Sequence, residues 1–220
     1  MPSRTPRIPR DVNKEATKRR ILEVALAMFQ SKGFRQTTMR DIAGAAGIAL
    51  GTTYNYFPTK EHLALYFFEE ALARVLARHR RECPREAALE EKIFSLISLE
   101  IEEVEPYQEF LNVMVIQATV PTSPLHPFSL DTQSLKNRHL EYVAGLLADA
   151  AGRGELPALG FESMLLSAFW VYHMGIVLFW LNDGSPNKSD TWALLDKSLR
   201  FTLNALRQGG RLEEPSEQAV

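Results

Sequence analysis

The sequence predicts an all-α protein of about nine helices, with a small N-terminal head and a larger C-terminal body. Three observations carry this expectation. Apolar residues recur at spacings of three and four through most of the chain. Prolines and glycines gather in the short gaps between those stretches, where helices stop. No stretch shows a convincing strand period, and no internal repeat is visible. The 220 residues, 45% hydrophobic and 24% charged, suit a soluble globular protein of one large or two small domains.

Residues 1–12 read as a flexible basic arm, in which prolines alternate with Arg4, Arg7 and Arg10. A first helix is expected from about Asn13 to Lys32. Its apolar face is Ile21, Leu22, Ala25, Leu26 and Phe29, and Gly33 ends it. Phe34 is expected to plug a small core with Ile21, Phe29, Ile42 and Phe57. Thr38 is then an N-cap, and Asp41 three residues on completes a capping box. Met39, Ile42, Ala43 and Ala46 share one face of a short helix, Gly47 provides the turn, and a second short helix runs from about Ala49 to Phe57. In that second helix Thr53 and Phe57 point inward, whereas Gly51, Thr52, Asn55 and Tyr56 point away. This is helix-turn-helix logic, in which the second helix can enter a DNA major groove. Gly51 leaves room for a close backbone approach to a phosphate, and Thr52 and Asn55 can reach base edges or phosphates. The head is thus expected over residues 13–58.

The run from Gly33-Phe34 through Thr38-Met39, Asp41-Ile42-Ala43, Ala46-Gly47 and Gly51-Thr52 to Tyr54-Asn55-Tyr56-Phe57 and Lys60-Glu61 resembles the TetR family of bacterial transcriptional regulators. The resemblance covers roughly the first quarter of the chain. It implies DNA contacts, mostly to phosphates, from Thr38, Thr52, Tyr54, Asn55, Tyr56 and Lys60. There are departures from the family pattern. Ala49 and Leu50 stand where Ser and Lys often precede the glycine, which removes a capping hydroxyl and a cation. Leu50 instead offers contact to a thymine methyl. Thr53 replaces a larger apolar residue.

The remainder, residues 59–210, is expected to be a ligand-binding and dimerisation body, with a flexible tail at 211–220. Thr59 is the expected N-cap of a long helix, Lys60 to about Arg81, with Leu63, Phe67, Ala71, Val75 and Leu76 as its buried stripe. Five further helices are expected at Glu86–Val104, Pro106–Thr119, Ser129–Ala151, Phe161–Leu181 and Lys188–Arg207. Pro121, Pro124 and Pro127 mark a loop. The helix Phe161–Leu181 is apolar over much of its circumference and so needs covering on most sides. The resemblance implies that the last two helices pair with their copies in a four-helix homodimer interface.

Charge is unevenly spread. Residues 1–60 carry 11 Lys+Arg against 4 Asp+Glu, while residues 61–220 carry 14 against 23. A basic head beside an acidic body is the footprint of a head that binds nucleic acid. The chain lacks a P-loop, a dinucleotide glycine fingerprint, a His-Glu-x-x-His motif and the Glu-x-x-His pairs of di-iron bundles. No metal, cofactor or catalytic residue is therefore expected, and Glu100, Glu102, Glu103 and Glu105 read as a solvated charged face. The lone Cys83 excludes an internal disulfide. No apolar run approaches the length of a membrane span and no signal peptide begins the chain, so the expected location is cytoplasmic.

The reading is a ligand-responsive regulator, in this family usually a repressor, that binds a near-palindromic double-stranded operator and is released by a small apolar or amphipathic effector. The alternatives are a small-molecule-binding or enzymatic bundle with an incidental helix-turn-helix, and an architectural DNA binder that senses nothing. The effector pocket is assigned walls from Phe110, Met114, Trp170 and Met174, and polar groups from Gln117, Tyr142 and His173.

Overall fold

The computed structural model describes residues 10–157 and 161–209. They form nine α-helices: α1 (Arg10–Lys32), α2 (Met39–Ala46), α3 (Leu50–Tyr56), α4 (Lys60–Glu82), α5 (Leu89–Val104), α6 (Gln108–Ala118), α7 (Gln133–Gly152), α8 (Glu162–Asn182) and α9 (Ser189–Gly209). Among the described residues there is no strand. The first helix starts at Arg10, so the last three residues of the expected arm are helical. The rest of that arm and the tail at 211–220 lie outside the described residues. Helix α7 starts four residues later than its periodicity suggests, because hydrogen-bonded turns continue past Pro127 to Ser129 and on towards Thr132. Helix α5 likewise starts at Leu89, after a turn closed from Ala87 N–H to the Pro84 carbonyl.

The chain divides into two compact units. One comprises the residues up to Phe68 together with Glu109–Asp131, and the other Glu69–Gln108 together with the chain from Thr132 onward. This differs from a head that ends at residue 58. The first unit takes in the start of α4 and nearly all of α6, and the reason is core size. A three-helix head alone buries little surface. In the first unit Ile21, Phe29, Phe34, Ile42 and Phe57 are buried as expected, together with Leu63, Phe67, Phe110, Leu111 and Met114. The Phe110 ring stacks on Phe29 at 5.2 Å between centroids and lies 5.9 Å from both Phe34 and Phe67. Phe110 completes this aromatic cluster.

The second unit packs α5, α7, α8, α9 and the later turns of α4. Leu72, Val75, Leu76, Leu96, Leu99 and Val143 form one apolar cluster within it. The corner between α8 and α9 is fixed by Asp183, whose Oδ2 accepts from the Thr191 N–H at 2.9 Å and from the Thr191 hydroxyl at 2.6 Å. Hydrogen bonds from the Ser185 and Thr191 segments hold this carboxyl far below the usual aspartate range.

Helix α8 corrects the expectation about membrane spans. It has 21 residues, and an 18-residue window within it has a mean hydropathy of 1.8, long and apolar enough to cross a bilayer by length and composition alone. Its Ser167, Tyr172, His173 and Gly175 interrupt the apolar run. Along its exposed side Met164, Val171 and Leu178 recur every seven residues, with Ser167, Ala168 and Gly175 between them. Helix α9 exposes Leu194 and Phe201, the latter at 77%.

Candidate nucleic-acid interface

The helix-turn-helix is built by local chemistry. Thr38 Oγ1 accepts from the Asp41 N–H at 3.1 Å, and Asp41 Oδ2 accepts from the Thr38 N–H at 3.0 Å. This reciprocal pair starts α2. Lys32 Nζ lies 2.8 Å from the same Oδ2. With hydrogen bonds from Lys32 and Thr38, the Asp41 carboxyl falls from 3.8 to about 2. Gly47 has φ of 65°, and its N–H and that of Ile48 return to carbonyls of α2. A side chain there would be strained in the backbone and would meet Arg20 at 3.3 Å.

Helix α3 then presents two faces. Thr53 and Phe57 are buried. The Thr53 hydroxyl donates to the Ala49 carbonyl at 3.3 Å, which satisfies a polar group in a place that suits an apolar one. Gly51, Thr52, Tyr54 and Asn55 are exposed, and Leu50 and Tyr56 are half-buried. A Cβ built on Gly51 meets nothing within 4 Å, so the protein itself does not require glycine there. Thr38 is exposed at the start of α2 beside Arg40, an exposed cation the sequence reading did not single out.

Lys60 behaves differently from the others. Its Nζ donates to the Phe34 carbonyl at 2.7 Å and lies 4.5 Å from the Phe34 ring centroid. Burial pushes this ammonium below the usual lysine value. It braces the end of the α1 turn, with its remaining N–H groups left for other acceptors. Thr59 stands just before α4, as expected, and its carbonyl accepts from the Leu63 N–H at 3.4 Å. Its hydroxyl engages His62 Nδ1 at 2.9 Å.

The seven residues assigned to the effector pocket divide between the units. Phe110, Met114 and Gln117 belong to the first, and Tyr142, Trp170, His173 and Met174 to the second. In the second unit Tyr142 Oη lies 2.7 Å from His79 Nδ1, and His79 Nε2 donates to the Lys92 carbonyl at 2.9 Å. That leaves Nδ1 as the acceptor of the Tyr142 proton, and burial keeps the imidazole neutral by lowering its pKa. Tyr142 also borders an open cleft of about 280 Å³ with Leu76, Arg80, Arg138 and Leu146.

The acidic cluster on α5 is not one solvated face. Glu102 and Glu103 pair with Arg78 and Arg74 and are partly exposed. Glu100 is different, since its side chain is only 11% exposed and lies 3.1 Å from His139 Nε2 and 2.7 Å from His173 Nε2. Burial holds the His139 pKa down at about 4. Spacing carried the signal, because Glu100 follows Ile93 by seven residues and Leu96 by four on the buried stripe.

Residues 21–67 match the family described as bacterial regulatory proteins, tetR family, and residues 92–218 match the tetracyclin repressor-like C-terminal domain. The chain belongs to the TetR family. Among curated relatives, the HTH-type transcriptional repressor KstR2 of Mycobacterium tuberculosis is 36% identical over 85 residues, covering 39% of this chain and 42% of that protein. The chain thus spans less than half the length of that relative. The HTH-type transcriptional regulator UidR of Escherichia coli is 29% identical over 145 residues, covering 64% of this chain and 70% of its own. A solved structure of Thermus thermophilus FadR, a TetR-family repressor in complex with lauroyl-CoA, superposes with a TM-score of 0.67 at 24% identity. It covers 92% of this chain and 99% of that one. The all-α TetR fold therefore extends over both units.

Proposed function

We propose that this TetR-family protein is a ligand-responsive DNA-binding repressor, released from its operator by a small apolar or amphipathic effector. The observation that carries the reading is the division of α3. Thr53 and Phe57 anchor it while Gly51, Thr52, Tyr54 and Asn55 face outward with no protein covering them. Thr38, Leu50 and Tyr56 border that face, and Lys60 supplies a cation at the start of α4 once an anion competes with the Phe34 carbonyl. The basic head supports phosphate binding. The repressor name of KstR2 supports the sign of regulation.

The effector site is drawn from the body residues Tyr142, Trp170, His173 and Met174. The lauroyl-CoA bound to the FadR neighbour supports a ligand with a long apolar part and a polar head. Helix α4 begins in the first unit and ends in the second, which makes it the link by which the ligand acts. The ligand must bind the DNA-released arrangement more tightly than the operator-bound one. No enzymatic step is part of this cycle. The exposed stripes of α8 and α9 support a homodimer through those helices, with small residues on α8 allowing close approach. Such a dimer reads a near-palindromic site in the cytoplasm, with heads spaced about 34–36 Å apart on adjacent turns.

Selection of bound sequences from genomic DNA, followed by fluorescence anisotropy on the recovered site, tests the reading. Asn55→Ala should weaken binding by roughly tenfold or more, equal to about 1.4 kcal/mol. Tyr56→Phe should cost about 1 kcal/mol if its hydroxyl meets a phosphate. Recovery of no enriched sequence would overturn the DNA-binding reading. Addition of acyl-CoA thioesters of increasing chain length to the same complex should release DNA, and a flat response would overturn that effector class.

A further inference from the structure

The second unit buries a carboxylate against two imidazoles without joining them by hydrogen bonds. Glu100 comes from α5, His139 from α7 and His173 from α8, and their ligand atoms all lie within 4.8 Å of one another. Both histidines are buried, and each turns Nε2 toward a different oxygen of Glu100. Yet Glu100 Oε2, His139 Nε2 and both ring nitrogens of His173 make no hydrogen bond of acceptable geometry. The atoms are close enough to bond, but the N–H directions miss the oxygens.

Such an arrangement is expensive as it stands. Buried polar atoms are nearly always hydrogen-bonded, and a buried carboxylate needs a compensating charge. Among the described residues no Lys or Arg pairs with Glu100, and its ion-pair partners are the two histidines. Aromatic rings close the surroundings, with Phe169 and Trp170 centroids 5.7 and 5.9 Å from that of His139. A cation at the centre of the three side chains removes the difficulty. Donors held about 2.0–2.2 Å from one ion sit about 3–3.5 Å from each other, against 3.1 and 2.7 Å for the two nitrogen–oxygen pairs and at most 4.8 Å across the whole set.

We propose that Glu100, His139 and His173 form a binding site for one divalent transition-metal ion. Two imidazoles and one carboxylate suit Zn(II), Fe(II), Co(II) or Ni(II) rather than the all-oxygen preference of Mg(II) or Ca(II). Three protein donors leave coordination positions open, as in metal sites that take an external ligand. Trp170 supports this. Its indole N–H is buried and has no partner among the described residues, while its ring lies 6.0 Å from that of His173. A water or an oxygen of a bound ligand on the ion provides an acceptor for it. The site ties together three helices of the body, so metal binding also stabilises that unit.

The test uses the full chain, stripped with EDTA, dialysed, and titrated with Zn(II) or Co(II) alone. One ion per chain is expected, with visible d–d bands for Co(II) and a rise in melting temperature with Zn(II). Glu100→Gln keeps the size of the side chain and should weaken affinity by roughly 100-fold or more, beyond what loss of an outer-shell partner costs. Glu102→Gln, on the exposed side of the same helix, should bind as the native chain does. Substoichiometric binding, native affinity in Glu100→Gln, or equal loss in Glu102→Gln would each overturn the site. If Glu100→Gln does not fold, X-ray absorption of the native Zn(II) protein decides. Two imidazoles and a carboxylate support the proposal, and any other protein donor set overturns it. None of these readouts involves an operator, so their failure leaves the regulator reading intact.

Discussion

In the first unit the interior is hydrocarbon and aromatic ring, and among the described residues its buried polar ones are Thr37, Thr53 and Ser123, small hydroxyls without charge. Thr37 and Thr53 both donate to backbone carbonyls four residues earlier. In the second unit the buried set contains His79, Lys92, His139, His173 and Asp183, with Glu100 nearly so. Ionisable groups in a core cost stability unless something compensates them. The contrast separates two tasks. To act as the proposed recognition helix, the seven-residue α3 needs a stiff apolar support, because it has too few turns to hold its own orientation. A body that senses a ligand needs polar groups placed where a ligand or ion can use them, and the cluster of such groups marks the place to look.

The largest effect should come from breaking the stiff support. Phe110→Ala removes the ring shared by Phe29, Phe34 and Phe67, and should destabilise the first unit by about 3–5 kcal/mol. Hydrogen exchange should localise the loss to α1, α2 and α3 before the second unit. Loss spread evenly over both would show that the two do not differ in the way proposed. Next in size is Gly51→Leu. A Cβ at this exposed position meets nothing within 4 Å, so circular dichroism and melting should stay native. Operator affinity should fall by roughly 100-fold, about 2.7 kcal/mol. Native affinity would remove α3 from the interface.

A smaller effect sharpens the other side of the comparison. Lys92 Nζ donates to the Arg85 carbonyl at 2.7 Å and pairs with Asp149 at 2.8 Å, although the side chain is buried. Lys92→Met keeps the aliphatic stem and leaves Asp149, itself half-exposed and paired with Arg153, to solvent. A cost of about 1–2 kcal/mol is expected by chemical denaturation. A stabilised variant would show that this ion pair, unlike the head's apolar contacts, is kept for something other than stability.

These differences also explain what could be read from the sequence. Capping, turn and inward faces in α2 and α3 depend on residues within four positions of each other, so Thr38, Asp41, Gly47, Thr53 and Phe57 announced their roles. Phe110 did not. Its partners Phe29, Phe34 and Phe67 lie more than forty positions away, and spacing along α6 marks a buried face without naming what buries it. Glu100 was legible in part. Its helical spacing pointed inward, but three neighbouring glutamates drew attention to the outward face. That His139 and His173 meet it is a fact of how three helices pack, and no local pattern encodes it.

The smallest expected effect concerns pH, and it belongs to the first unit. The Asp41 carboxylate caps α2, pairs with Lys32 and titrates near 2 in place of 3.8. A carboxyl lowered on folding contributes stability that is complete above its unfolded value, because there it is ionised in both states. Between 3.8 and about 2 the unfolded chain takes up a proton that the folded chain resists, and the contribution falls away. The Asp41→Asn variant keeps the shape of the side chain and cannot titrate. The stability difference between native and variant should therefore be constant above roughly pH 5, shrink through pH 3, and be lost only as the pH falls below about 2. The group is partly open to water, so the difference should be modest and should diminish further in high salt. Exchange of the Thr38 amide, which the carboxylate accepts, offers a local readout at the start of α2. A difference that grew on acidification would mean that Asp41 is raised rather than lowered by folding, and the capping geometry could not then be holding α2 in place for recognition.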